Sequence, residues 1–165
     1  NVAGIRSCLK KDSLNFLLES SYDIVCFQET KADENQVKLS DEFIEKYPYR
    51  YWKSMKNSNM KKGQSGTSIW SKIKPIKEID PLEIDNEGRT VTLEYDKFIL
   101  LTVYTPNSQS LTSKRFDFRT NEWDFKFRTH VNMLKERKPL LIHHRRLQRR
   151  KNLNYLKLNY VILYQ

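Results

Sequence analysis

Three short polar clusters carry the residue types from which a site could be built: Asn1-Val2-Ala3-Gly4, Gln28-Glu29-Thr30 and Tyr104-Thr105-Pro106-Asn107. A carboxylate such as Glu29, with carboxamides beside it, is a hard-oxygen set that suits Mg²⁺. A tyrosine hydroxyl and an asparagine amide are donors that could hold phosphate oxygens. Each piece alone also has a plainer reading. Glu29 reads as a solvated loop residue, and Tyr-Thr-Pro-Asn as a turn, since Pro and Asn both favour one.

The elements that must position these residues are legible as hydrophobic patterns. Asp23 to Phe27 is a short, mostly apolar run, as in a strand buried on both faces, and it ends in Gln28-Glu29-Thr30-Lys31. Further strands are expected at 49–54, 67–71, 89–95 and 98–104, the last two joined by the hairpin signal Asp96-Lys97, with another starting at Pro139-Leu140-Leu141-Ile142. Helices are expected over 10–20, 34–47 and 115–138. In the last, Phe116, Trp123, Phe127, Val131 and Leu134 form one apolar stripe. Strands alternating with helices, plus a hairpin, predict an α/β layered domain with a mixed sheet. In open sheets of this class the C-terminal strand ends form the usual site edge.

The chain has 165 residues and a formal net charge of +10. The charge is uneven. Residues 143–165 hold Arg145, Arg146, Arg149, Arg150, Lys151 and Lys157 and no acid, leaving the body at only +4. Pro, Gly and acidic residues all stop before Ile142, which predicts a boundary: a domain over 1–142 and a basic tail over 143–165. The tail reads as a nuclear-localisation or nucleic-acid patch, as a solvated basic segment, or as sequence joined to the body by a change of reading frame. No run approaches the ~18 apolar residues of a membrane span. Two cysteines, Cys8 and Cys26, make neither a disulfide framework nor a zinc site, and reduced thiols of an intracellular protein are expected.

Read in order, Asn-Val-x-Gly-Ile-Arg at 1–6, Asp-Ile-Val-Cys-Phe-Gln-Glu-Thr-Lys at 23–31, Gly-Gln-Ser-Gly-Thr at 63–67, Glu-Gly-Arg at 87–89, Val-Tyr-Thr-Pro-Asn at 103–107, Arg119 with Trp123-Asp124, and Lys-Pro-Leu-Leu-Ile at 138–142 form a series. The series resembles the exonuclease III family of apurinic/apyrimidinic endonucleases, within the endonuclease/exonuclease/phosphatase fold. The resemblance covers 1–142 and implies the first half of a four-layer α/β sandwich. It implies Mg²⁺ as cofactor, with Mn²⁺ as a substitute, held by Glu29 with Asn1 beside it. Tyr104 and Asn107 would position the scissile phosphate. Arg6, Ser7, Lys11, Lys61, Gly63, Gln64 and Arg89 would contact DNA. The implied partner is abasic-site duplex DNA, the implied reaction base-excision repair, and the implied compartment the nucleus, or the cytoplasm of a prokaryote.

The departures from the family pattern set further expectations. Position 3 is Ala3 where an acid or amide is usual. After Ile142 the family's Gly-Asp-x-Asn, whose Asp activates the attacking water, is replaced by His143-His144-Arg145-Arg146, and the later Ser-Asp-His does not occur. The expected outcome is a chain that does not incise DNA, or a non-catalytic nucleic-acid-binding fragment. His143 and His144 read as a surface pair. Adjacent strand residues point to opposite faces, so only one of them could stand in as a base. A single sheet without its partner would leave Ile24, Cys26, Ile69, Leu93 and Leu101 uncovered, favouring self-association through that face.

Overall fold

The structure is a computed structural model that describes residues 1–55 and 64–144. Seven strands form two sheets. β1 (Ile24–Gln28), β2 (Tyr49–Lys53) and β3 (Thr67–Ser71) make an antiparallel sheet in the order β1-β3-β2. β4 (Lys77–Ile79), β5 (Thr90–Glu94), β6 (Ile99–Val103) and β7 (Leu140–His144) make a second sheet in that order, antiparallel except for the parallel β6–β7 pair. The parallel pair is the one joined by a helical crossover, α4 (Lys114–Asp117), a π-helical turn (Phe118–Trp123) and α5 (Asp124–Lys135). Such a connection is what a parallel pair requires.

The period-2 pattern of each strand assigns its two faces. On the inner faces Ile69, Val91, Leu93 and Leu100 pack with the half-buried Ile24, Cys26 and Tyr51, so the two sheets cover one another. The outer face of the first sheet, with Phe27 and Trp70, meets Ile5 of α1 (Ile5–Lys10), Leu17 of α2 (Phe16–Glu19) and Phe43 of α3 (Asp41–Lys46). The outer face of the second, with Ile99, Leu101, Val103 and Ile142, meets Trp123, Val131 and Leu134. The layers run helices, sheet, sheet, helices.

The α/β class stands, but a single sheet with a bare inner face is corrected. Ile69, Leu93 and Leu101 are fully buried. The cause is topological. The three N-terminal strands pair with one another in the order β1-β3-β2 and close into a separate sheet over the second one. Self-association through an uncovered inner face therefore has no basis among the described residues. β1, expected to be buried on both faces, is an edge strand and half-buried along its first three residues.

Helix 10–20 is also corrected. The chain is helical over α1 and again over α2, with Asp12 at φ 54° breaking the run between them. Helix 34–47 is a 3₁₀ turn (Glu34–Gln36) followed by α3. The long C-terminal helix forms in three conjoined pieces. β7 continues two residues past Ile142, so His143 and His144 are strand residues.

Candidate functional site

The site is built where β1 and β6, in different sheets, end together. Gln28, the last residue of β1, is buried, and its Nε2 donates to the Val103 carbonyl at the end of β6 (2.8 Å). That cross-sheet bond brings the next residue of each strand, Glu29 and Tyr104, into contact. The Tyr104 hydroxyl donates to Glu29 Oε1 at 2.8 Å, and Asn1 Nδ2 donates to the same oxygen at 2.5 Å. Lys31 Nζ lies 3.7 Å from the other oxygen, Oε2. Asn1 Oδ1 accepts from the Ala3 amide (3.0 Å), which fixes the carboxamide with its nitrogen toward the carboxylate.

The backbone around Glu29 is held in an uncommon conformation. Ala3, Glu29, Lys31 and Ser65 all have φ between 47° and 57°. Non-glycine residues there cost on the order of 1–3 kcal/mol each and persist where the surroundings over-determine them. Here they do. Val2, Gly4 and Ile5 amides donate to the carbonyls of Gln28, Glu29 and Thr30, while Thr30 and Lys31 amides donate to those of Gly66 and Ser65. Three chain segments thus run side by side beneath the carboxylate. Gly66 is required: its φ is +87°, and a Cβ there would lie 2.3 Å from Thr30 Oγ1. Gly66→Ala is expected to destabilise the fold by about 1–3 kcal/mol, read as a lower urea midpoint. An unchanged midpoint would show that this loop is freer than its geometry indicates.

Arg89, expected at the DNA, is only 8% exposed and turned inward. Its Nη1 donates to the Tyr104 carbonyl (3.0 Å), its guanidinium carbon sits 4.8 Å from the Tyr104 ring centroid, and its Nε pairs with Glu87. Asp85, which sequence reasoning did not single out, anchors this loop. Its buried carboxylate accepts from the amides of Arg89 and Thr90 and from the Thr90 hydroxyl, all within 2.7–2.9 Å. An acid four residues before an arginine at the mouth of a strand was the available signal.

The other expected residues are more dispersed. Asn107 is exposed, and its Oδ1 accepts from the Gln109 amide (3.0 Å). Its loop is held from below by Arg119, whose Nε donates to the Pro106 carbonyl (3.1 Å) and whose Nη1 pairs with Asp124. Arg6 and Ser7 lie exposed on α1, Lys11 is exposed at its C-terminus, and Gln64 is exposed. Lys61, Gly63 and the basic residues of the tail from Arg145 lie outside the described residues. His143 is not a surface residue. Its Nδ1 lies 3.1 Å from Thr102 Oγ1 and 3.4 Å from Gln28 Nε2, and burial pushes its pKa down to about 4. An amide nitrogen only donates, so Nδ1 is the acceptor and the neutral ring carries its proton on Nε2. A group with so low a pKa is a poor base at neutral pH. Cys26 is also inert: burial pushes its thiol up to about 12.

No group of three or more His, Cys, Asp or Glu gathers among the described residues. The donor chemistry nonetheless fits a hard cation. Glu29 supplies a partly exposed carboxylate, and Mg²⁺ commonly takes one or two carboxylates with waters and substrate phosphate filling the rest. Asn1, whose oxygen is taken by the Ala3 amide, orients that carboxylate through its nitrogen. No described helix is long and apolar enough to cross a membrane.

The molecule is thus a four-layer α/β sandwich with an oxygen-rich site where its two sheets end together. It belongs to the Endonuclease/Exonuclease/phosphatase family, whose pattern matches residues 1–154. The chain is 38% identical over 146 residues to an exodeoxyribonuclease of Bacillus subtilis, covering 86% of this chain and 54% of that protein. It is 34% identical to a DNA-(apurinic or apyrimidinic site) endonuclease of Dictyostelium discoideum and 37% identical to the DNA repair nuclease APEX1 of Danio rerio, covering 38% and 45% of those proteins. The chain therefore spans about half the length, or less, of these relatives. Among solved structures it is similar in fold to the Neisseria 3′ phosphatase NExo bound to a product DNA hairpin (TM-score 0.72, 20% identity). It is similar also to an AP endonuclease from Archaeoglobus fulgidus (TM-score 0.70, 20% identity). Each match covers 87% of this chain and 54% of the other.

Proposed function

We propose that this chain forms the cation- and phosphate-holding half of an exonuclease III-type abasic-site endonuclease of base-excision repair, and that it binds DNA without incising it. The observation that carries the reading is the convergence of Asn1 and Tyr104 on one oxygen of Glu29. Glu29 would hold Mg²⁺, with Asn1 beside it orienting the carboxylate; the ion when bound neutralises charge on the phosphate and the leaving oxygen. Tyr104 and Asn107, at the rim of β6, would donate to phosphate oxygens. Arg6, Ser7, Lys11 and Gln64 are exposed and available to the DNA backbone, and the sequence pattern adds Lys61 and Gly63 to this set. Arg89 acts on DNA only through Tyr104, since its guanidinium is engaged within the protein. A repair role would place the protein with the genome, in the nucleus or the cytoplasm of a prokaryote.

The proposed inactivity rests on residue identity at the C-terminal end of β7. Where the family supplies the water-activating Asp, this chain has His143-His144-Arg145-Arg146. Positioned proton transfer contributes about 10²–10⁴-fold, and His143, neutral with its Nδ1 engaged, cannot take over that step. The test is a duplex with one abasic-site analogue, incubated with Mg²⁺ and resolved on a denaturing gel. No incision is expected. Retained binding is expected to fall with salt at a log–log slope of about −0.9 per phosphate neutralised, and Glu29→Gln is expected to leave that binding almost unchanged. Incision that vanishes in Glu29→Gln would overturn the inactive reading; binding insensitive to salt would overturn the DNA reading.

A further inference from the structure

We infer that Glu87 and Arg115 are positioning residues for Tyr104, acting through Arg89. This inference rests on the DNA-phosphate reading of the site and extends it to the side chains that hold Arg89 in place.

The connection is continuous. Arg115, on α4, donates from Nη1 to Glu87 Oε1 (2.7 Å) and from Nη2 to Oε2 (2.6 Å), a two-pronged pair of the kind a planar guanidinium makes with a carboxylate. Glu87 Oε2 also accepts from Arg89 Nε. Arg89 then holds Tyr104 twice, by the bond to its carbonyl and by the guanidinium over its ring. Tyr104 ends the series on Glu29. The carboxylate between the two arginines is only 12% exposed, and the Arg89 side chain 10%. Burial alone would raise the Glu87 pKa, but the two guanidinium groups hold it below the ordinary carboxylate range, so it is charged at neutral pH.

The backbone of this segment is fixed independently of the Glu87 side chain. Asp85 takes the Arg89 and Thr90 amides, Ser65 Oγ donates to the Glu87 carbonyl, and Gly88, at φ +62°, packs so closely on Ser54 that a Cβ would lie 2.5 Å from its backbone. Glu87 is therefore not needed to form the turn. Its carboxylate is placed to restrain one arginine with another. An arginine left without that restraint would have rotamers in which its guanidinium leaves the Tyr104 ring. A lysine at 115 would keep the charge but lose the fork.

The sign of the expected effect separates positioning from bulk electrostatics. Glu87→Gln removes a negative charge, so charge alone predicts tighter DNA binding. Positioning predicts weaker binding, by about fivefold, and only while Tyr104 can still donate. The experiment is a double-mutant cycle on an abasic-analogue duplex in Ca²⁺, with wild type, Glu87→Gln, Tyr104→Phe and the double variant, and Arg115→Lys as a second route to the same restraint. In parallel, the Tyr104 ring signal is followed in ¹³C-tyrosine-labelled protein and assigned by its disappearance in Tyr104→Phe.

The expected result is a displaced ring signal in Glu87→Gln and in Arg115→Lys, with weaker binding in each. The double variant is expected to be no weaker than Tyr104→Phe. Tighter binding in Glu87→Gln, additive losses in the double variant, or an unmoved ring signal would each overturn the inference. A wild type that fails to bind DNA while the ring signal is displaced would sink the DNA reading and support the coupling from Glu87 to Tyr104.

Discussion

Trp70→Ala is expected to lower the unfolding free energy by about 3–5 kcal/mol, the range for removing a large aromatic from a packed core. Trp70 lies on β3, the central strand of its sheet, and is fully buried. Its indole sits 4.6 Å from the Phe27 ring, 5.8 Å from Phe43, 6.3 Å from Tyr47 and 6.0 Å from Trp52, centroid to centroid. These partners come from β1, α3 and its C-terminal flank, and β2, so one side chain joins every strand of the sheet to its helix layer. Rigid elements on several sides collapse poorly into a vacated space, which puts the loss toward the upper end of the range. Trp70→Phe is expected to lose less. It keeps an aromatic ring in contact with Phe27 and removes an indole N–H that is buried without a hydrogen-bond partner among the described residues. Melting by calorimetry checks both. For a domain of this size each kcal/mol shifts the midpoint by roughly 2–4 °C, so Trp70→Ala should melt about 10 °C or more below wild type. A fall of one or two degrees would mean that this layer is not a single packed unit.

The pattern by which the sequence announces its site is local, and this explains both what was legible and what was not. Glu29 and Tyr104 each follow a run of apolar residues, and strand ends are where polar chemistry gathers in layered α/β proteins. Their contact with each other depends on Gln28 reaching Val103 across two sheets, 75 residues apart in the chain. No spacing rule encodes that bond. β4 escaped notice because three residues, Lys77-Glu78-Ile79, with two of them charged, carry too little alternation to register as a strand. The division into two sheets escaped for a related reason. A period-2 pattern says which residues share a face but not which strand lies opposite. The break between α1 and α2 was hidden by Leu14, Phe16, Leu17 and Leu18, whose apolar crowding mimics a helical face while Asp12 adopts a left-handed turn. Nothing in the local sequence sets Arg115 or Asp85 apart from the other charged residues. They are functional candidates only because loop 85–89 folds under Tyr104.

Acid is expected to destabilise the protein over a window set by His143. In the fold its ring is neutral, with a pKa pushed by burial to about 4, against 6.5 for a free histidine. A folded-state pKa below the unfolded one means that the unfolded chain takes up the proton first as pH falls. Stability is therefore fully present above pH 6.5, declines between 6.5 and about 4, and loses nothing further from this group below that. The full difference amounts to roughly 3 kcal/mol at 1.36 kcal/mol per pKa unit. His130 is shifted in the same direction, also by burial, and adds to the slope. Glu87 acts in a separate and lower window. Its folded-state pKa lies below the ordinary value, so its contribution is lost only as pH falls beneath the usual carboxylate range. The comparison that isolates His143 is wild type against His143→Gln, in urea unfolding from pH 7.5 to 4.5. Glutamine keeps a neutral hydrogen-bonding group near Thr102 and Gln28 but cannot be protonated. The wild type should lose about 2–3 kcal/mol more than the variant across this range, with most of the divergence between pH 6.5 and 5. Parallel curves would mean that the imidazole opens to water in the native state, and would return His143 to consideration as a base.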